Sequence, residues 1–326
     1  MKLTRYVIAA GLALLIALSG AAGLVAGAKS QLTDVKRIDV VGPSLSTPST
    51  GFENYLLVGT DSREGADPDA ADFDTIGKDL GSQRSDTIMI LRYDTATQTA
   101  ALMSFPRDLW VTVGNGDNHN RINATYNLGA DMLIRTINAN FNIPIHHYVE
   151  INFQGFKDIV EAVGGVSVCV PHAAKDKNTG LRLRKGCQTL DGVKALRFAR
   201  SRHYYQYIKG DWQLEGTGDV GRTARQREFV SALLKDTAKF AAANPFGVGG
   251  VMRSITSAVS ADPSLDVASF LKRLKPAADG SIASYGLDVS NDIVNDMSVV
   301  QLGGASQGVL DYFAGIGPAP AQAPAA

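Results

Sequence analysis

The stretch GDVGRTARQREF, residues 218–229, sets three arginines within six positions at the start of a helical pattern. Asp219 suits an N-cap, and Arg222, Arg225, Gln226 and Phe229 recur at three- and four-residue spacing until Asn244-Pro245 stops the run. Arg222 and Arg225 therefore fall where the helix dipole is already positive, the end at which cations are least favoured. Two readings stand at this point: a solvated arginine face with glutamate partners, or an anion such as phosphate held between the helix end and the guanidinium forks.

Further chemistry-bearing residues sit at element boundaries: Asp61 and Arg63 after NYLLVG, Arg84 and Asp86 before TIMILRYD, Arg107 and Asp108 after TAALMSF, Arg200 and Arg202 after an amphipathic segment. Arginine forks match phosphate oxygens, each charge-assisted bond contributing on the order of 1.5–3 kcal/mol. Asp61 and Asp86 are hard oxygen donors of the kind Mg²⁺ accepts in ones and twos, the rest of its shell being water and phosphate. The competing account is ordinary surface ion pairs, each contributing about 0–1 kcal/mol. Walker A and HExxH patterns are absent, and the five histidines show no pairing with a nucleophile. With 32 basic and 32 acidic residues the chain has no net charge, so no global case exists for nucleic-acid binding.

The elements that must position these residues alternate. Strands are expected at 54–59, 86–94, 99–105, 146–152 and 165–170, and helices at 126–140, 153–163, 190–198, 222–242 and near 265–274. This gives an α/β fold, a mixed central sheet between helical layers (α/β/α), with an N-terminal transmembrane helix. A turn near Asp94–Thr97 would place Asp86 opposite roughly Phe105 or Pro106. Residues 6–28 carry no charge and are long enough to span a bilayer; Lys2 and Arg5 keep residues 1–5 cytoplasmic and the remainder outside. Cleavage at Ala26-Gly27-Ala28 as a signal peptide is the alternative. Residues 29–50 read as a linker, 51–315 as the extracytoplasmic domain, and 316–326 as a disordered Pro/Ala tail. Cys169 and Cys187 bound the polar stretch HAAKDKNTGLRLRKG, otherwise a floppy loop; export favours a disulfide over two free thiols.

Seven ordered segments, NYLLVGTDSREG, QRSDTIMILRYD, MSFPRDLWV, RINATYNLGA, HYVEINFQGFKDIVEAVGGVSV, LDGVKALRFARSRH and GDVGRTARQREF, resemble the successive motifs of the LytR-CpsA-Psr family over about residues 52–240. The resemblance implies a single-pass protein of the bacterial cell membrane with its catalytic domain outside. It implies an Mg²⁺-dependent phosphotransferase, or one using another divalent ion such as Mn²⁺, that moves a glycopolymer from a polyprenyl-pyrophosphate carrier to a cell-wall hydroxyl, in peptidoglycan. An apolar channel would hold the lipid. Asp61 and Asp86 become the metal-side carboxylates; Arg84, Arg107, Arg200, Arg202, Arg222, Gln226 and, in the same motif, Arg225 become pyrophosphate contacts. Catalysis would involve Arg84, Arg107 and Asp219, the last as N-cap alone or as N-cap and general base. One departure is the acidic stretch 64–83, which resembles an insertion common in actinobacterial members and brings Asp67, Asp69, Asp72 and Asp74 as further carboxylates. A pyrophosphatase using water, or a receptor that grips a phosphorylated lipid or wall polymer without turnover, are the alternatives. The Asp61/Asp86 pair bears on the last, since carboxylates repel phosphate unless a cation lies between.

Overall fold

The computed structural model describes residues 35–40, 44–47, 51–60, 62, 85–215, 248–266, 269–270 and 282–321, together with scattered positions between 221 and 244. Its strands in chain order are β1 (Lys36–Arg37), β2 (Phe52–Thr60), β3 (Ser85–Asp94), β4 (Thr99–Phe105), β5 (Trp110–Thr112), β6 (His119–Arg121), β7 (His147–Ile151), β8 (Val166–Val170), β9 (Ala174–Asp176), β10 (Leu181–Leu183), β11 (Gly186–Leu190), β12 (Tyr205–Ile208), β13 (Asp211–Leu214), β14 (Val259–Ala261), β15 (Ala283–Tyr285), β16 (Val289–Val294) and β17 (Met297–Leu302).

Seven of these form a central mixed sheet in the order β1-β14-β7-β2-β3-β4-β15. β2 runs parallel to β7 and antiparallel to β3, which pairs antiparallel with β4. The continuous apolar run in β2 is buried at every position after Phe52, which requires both faces of the strand to be covered. The β3–β4 turn starts at Asp94, whose Oδ1 accepts from the Ala96 and Thr97 amides at 3.0 and 2.9 Å, and closes through Gln98 at φ 56°.

Helices Phe153–Ala162, Gly192–Arg200 and Val248–Ala258 pack in a chain of close contacts. A Cβ on Gly192 would lie 2.7 Å from the Lys157 carbonyl oxygen, and one on Gly155 would lie 2.9 Å from that of Ala258, so both crossings depend on glycine. The first two helices are capped as their sequences dictate: Asn152 accepts from the Gly155 amide at 2.8 Å and Asp191 from that of Lys194 at 2.7 Å. The described positions between 221 and 243 are helical; Phe229 there packs against Phe156 and Phe198.

Besides helix Val248–Ala258 and the short strand pairs β5/β6, β12/β13 and β16/β17, which were not expected, three regions differ from the sequence expectations, and the helix expected at 126–140 spans Ala130–Phe141. The linker assigned to 29–50 contains β1, which pairs with β14, flanked by buried Val35 and Val40; the Arg37 guanidinium donates to the carbonyls of Asp262 and Leu265 at 2.9 and 3.0 Å. The stretch expected as a floppy loop between the cysteines forms β9 and β10, part of a second sheet ordered β10-β9-β12-β13. The start of the Pro/Ala tail folds back, with the Tyr285 hydroxyl donating to the Pro320 carbonyl at 3.1 Å. Cys169 and Cys187 are directly opposed on β8 and β11 and are disulfide-bonded, with a Cα–Cα distance of 3.9 Å. Among the described residues no helix is long and apolar enough to cross a membrane. The segment 6–28 lies outside them.

Candidate functional site

One edge of the central sheet gathers the ends of four strands. β2 and β7 finish together, Gly59 opposite Ile151; β3 begins beside them, Thr87 opposite Gly59 and Ser85 opposite Thr60. The register slips between Gly59 and Thr60, so that Ser85 and Asp86 together face the single residue Thr60. A bulge of this kind re-aims side chains and is over-represented beside functional sites. β4 ends at the same edge, with Ile88 opposite Phe105. The hairpin is therefore shifted by one to two residues from the expected pairing of Asp86 with Phe105 or Pro106: Phe105 stands opposite Ile88.

Arg107 leaves this edge two residues after β4. Its Nε lies 3.1 Å from the Asp108 carboxylate, its carbonyl accepts from the Asn123 amide at 3.1 Å, and Arg121 approaches the same carboxylate at 3.9 Å. Arg200 is the last residue of helix Gly192–Arg200 and is 2% exposed. Its guanidinium carbon stands 5.2 Å from the ring centroid of Phe153, the first helical residue beyond β7. Helix packing thus brings Arg200 to the edge where β2 and β7 finish.

Arg202 follows in a turn fixed by Asp176, itself buried to 1% exposure. Asp176 Oδ2 accepts from Ser201 Oγ at 2.8 Å and from the amides of Arg202 and His203 at 2.9 and 3.0 Å; Oδ1 accepts from the amides of Asn178 and Thr179 at 2.8 and 3.4 Å. Arg202 Nη2 is buried with no hydrogen-bond partner among the described residues, which suits an anion. Asp176 was missed from sequence because it is one acid inside a basic stretch, and nothing local marks it as the acceptor for a turn 25 residues on.

Arg225, expected as a pyrophosphate contact, also makes contacts within the protein. Its guanidinium pairs with Glu215, donates to the Ser201 carbonyl at 3.2 Å and lies 4.1 Å from the Tyr204 ring centroid. Burial lowers its pKa to about 10, so it stays cationic at neutral pH. These contacts tie the described helical positions after 221 to the turn that carries Arg202, while Arg225 Nε is buried with no hydrogen-bond partner among the described residues. Asp61, Arg63, Arg84, Asp219, Arg222 and Gln226 lie outside the described residues, as does the side chain of Asp86.

The edge also carries three buried hydroxyls, Thr60 Oγ1, Ser85 Oγ and Thr87 Oγ1, without hydrogen-bond partners among the described residues. These three hydroxyls are oxygen donors. That chemistry fits a hard divalent cation such as Mg²⁺ better than a soft, sulfur- or imidazole-bound metal. Among the described residues no three His, Cys, Asp or Glu side chains cluster as a self-contained metal site.

The chain is similar to known proteins over most of its length. It is 36% identical over 214 residues to the probable cell wall biosynthesis protein LcpB of Corynebacterium glutamicum, a match covering 65% of this chain and 48% of that one, so the chain spans about half the length of that relative. It is 29% identical over 249 residues to the polyisoprenyl-teichoic acid–peptidoglycan teichoic acid transferase TagU of Oceanobacillus iheyensis, covering 74% and 68% of the two chains. Its fold matches that of a LytR-Csp2A-Psr enzyme from Actinomyces oris with a TM-score of 0.66 at 23% identity, over 86% of this chain and 96% of that one. The model of the LytR_cpsA_psr family matches residues 21–310, and the chain belongs to that family.

Proposed function

We propose that the protein is a phosphotransferase that moves a glycopolymer from a polyprenyl-pyrophosphate carrier to a cell-wall hydroxyl, in peptidoglycan. The observation that carries the reading is the convergence, on the sheet edge where β2 and β7 finish, of Arg107, Arg200 and the turn of Arg202 with its buried, unsatisfied Nη2. The names of the relatives, one a teichoic acid transferase, support the same class of reaction.

In this reading the arginine forks hold the non-bridging oxygens of the pyrophosphate and stabilise the charge that builds on them as the bond to the carrier weakens. The acceptor hydroxyl attacks the phosphorus that bears the sugar. A new P–O bond to the acceptor forms, the bond to the bridging oxygen breaks, and polyprenyl phosphate departs. The hydroxyl proton passes to a base, the role proposed for Asp219. Asp61 and Asp86 would hold a divalent ion, Mg²⁺, which when bound offsets the pyrophosphate charge. The N-terminal segment 6–28 would keep the domain at the outer membrane–water boundary, within reach of a lipid carrier.

The test is incubation of the protein with a synthetic polyprenyl-pyrophosphate oligosaccharide, peptidoglycan chains and Mg²⁺, with mass spectrometry of the glycan. A phosphodiester-linked product is expected. Asp86→Asn should abolish Mg²⁺-stimulated transfer while leaving binding of the carrier in EDTA unchanged or tighter, because a carboxylate about 4 Å from a phosphate charge costs about 4 kcal/mol at an effective dielectric of ~20. Full wild-type activity in EDTA would refute the metal, and release of free phosphorylated glycan without acceptor would make the protein a pyrophosphatase.

A further inference from the structure

The small sheet β10-β9-β12-β13 has two unlike faces. Ala174, Asp176, Leu181 and Leu183 point inward and are buried, and β10 contacts helix Gly192–Arg200. On the other face the register sets Arg182, Lys175, Tyr205 and Leu214 in one row across all four strands, with Tyr207 and Trp212 opposed in the adjacent row. The face thus grades from cations at one side to aromatic rings at the other. Lys175 Nζ stands 3.8 Å from the Trp212 ring centroid, Tyr207 packs on Trp212 at 5.3 Å, and Tyr207 remains 46% exposed.

A cleft of about 730 Å³ opens over this face, lined by five cations and one carboxylate. That carboxylate is Asp176, buried and engaged by Ser201 and by backbone amides, so the lining stays strongly positive. A second depression of about 300 Å³ shares Lys175, Lys177 and Trp212 with the first and extends to His203, next to Arg202.

We propose that this face binds the glycan of an anionic glycopolymer while its pyrophosphate end is held by Arg200 and Arg202. The proposal rests on the transferase reading and adds to it where the polymer runs. Aromatic rings offer flat apolar surfaces to the C–H faces of sugars, and lysine and arginine meet regularly spaced phosphates or carboxylates. Cations beside tyrosine and tryptophan suit an acidic lipid interface as well; the glycan is favoured because this face is continuous with the turn of Arg202, where the pyrophosphate end is held. Asp176 joins the two places physically: it lines the cleft and holds the Arg202 and His203 amides, so a chain leaving the pyrophosphate meets the cleft within a few sugars.

The experiment uses the full chain in detergent and follows tryptophan fluorescence and calorimetry with four probes: a galacturonate hexamer, a neutral glucan hexamer, inorganic phosphate, and phosphatidylglycerol vesicles. The galacturonate hexamer should bind, and raising salt from 50 to 500 mM should weaken it at least tenfold. Trp212→Leu and the double variant Lys175→Gln/Arg182→Gln should each lower its affinity by about tenfold. If Trp212→Leu fails to fold, the surface double variant decides. Equal affinity for the neutral hexamer, binding of vesicles but not of the hexamer, or binding of phosphate alone with the same sensitivity to the variants would each overturn the proposal. Turnover separates the two readings. The double variant should process a carrier bearing a single sugar as well as wild type does, and lose at least tenfold in kcat/KM on a carrier bearing a long anionic chain. Wild type that turns over neither carrier would defeat the transferase reading, while the hexamer measurement still decides the cleft.

Discussion

Asp176 collects five donors on one buried carboxylate, and three of them, from Ser201, Arg202 and His203, fix the turn that carries Arg202. Asp176→Ala strands those donors, and hydrogen bonds to a charged acceptor contribute about 1.5–3 kcal/mol each, so a loss of at least ~3 kcal/mol is expected in urea unfolding. Asp176→Asn keeps one acceptor oxygen and should cost less. Transfer activity of the Asn variant, measured where it is fully folded, should still fall about tenfold or more, because a turn shifted by even an ångström misplaces Arg202. Equal activity in the Asn variant would mean that Arg202 is positioned by other contacts.

Among elements, the β8–β11 hairpin shows what sequence could and could not give. Cys169 and Cys187 were legible as a bridged pair from their spacing and the expected export, and they meet directly across the two strands. Closing a loop of 18 residues contributes about 3 kcal/mol in the chain-entropy model. Cys169→Ser with Cys187→Ser should lower the unfolding free energy by about that amount, read by thermal or urea denaturation; an unchanged midpoint would mean the hairpin is held by its packing alone. The strands enclosed by the bridge were not legible. Each of β9 and β10 has three residues, too few for an alternating pattern to stand out from a basic loop. The same holds for β1, β14 and β15, whose pairing depends on partners far away in sequence. The long strands β2, β3 and β4 and the capped helices carried their own signals, and were read to within a residue or two. At the site, the positions of Arg107 just after a strand and of Arg200 and Arg202 at a helix end followed from those signals. The contacts of Arg225 with Glu215 and Tyr204 did not, because they depend on where the 201–204 turn lies in space.

At the scale of the molecule, one buried cluster ties the beginning, middle and end of the domain. The Asn54 side chain donates to the carbonyls of Pro144 and Phe313 at 2.9 and 2.8 Å, and its amide donates to His146 Nδ1 at 2.8 Å. His146 must be neutral to accept that bond, and burial lowers its pKa from 6.5 to about 4. A base depressed in the folded state leaves the unfolded chain binding more protons between these values. Its stabilisation is therefore complete above pH 6.5 and is lost as pH falls toward 4, by an amount on the order of 3 kcal/mol. Asp262, whose carboxylate faces His147, Ser264 and the Tyr148 amide, titrates below that window: burial alone would raise its pKa, but those bonds together hold it below the usual value. Unfolding free energies measured from pH 7 to 4.5 should show the slope, and His146→Gln should flatten it. A wild-type chain with no slope between pH 6.5 and 5 would mean that His146 is solvated or already charged.

The placement of β14 between β1 and β7 has a consequence for how the chain reaches this state. A polypeptide emerging from its N-terminus can zip β2, β3 and β4 as soon as they appear, because their pairings are local. β1 has nothing to pair with until Ser260 and Ala261 arrive, more than two hundred residues later. Until then β7 offers an open edge of unsatisfied amides and carbonyls, and so does β4 until β15 arrives. The late-arriving strands are short, so assembly hinges on a few residues made near the end of synthesis, and entropy makes such distant closures slow. A nascent chain halted before residue 259 would therefore be a sticky, half-built sheet, and its escape from aggregation would depend on the time spent in that state rather than on the stability of the finished domain.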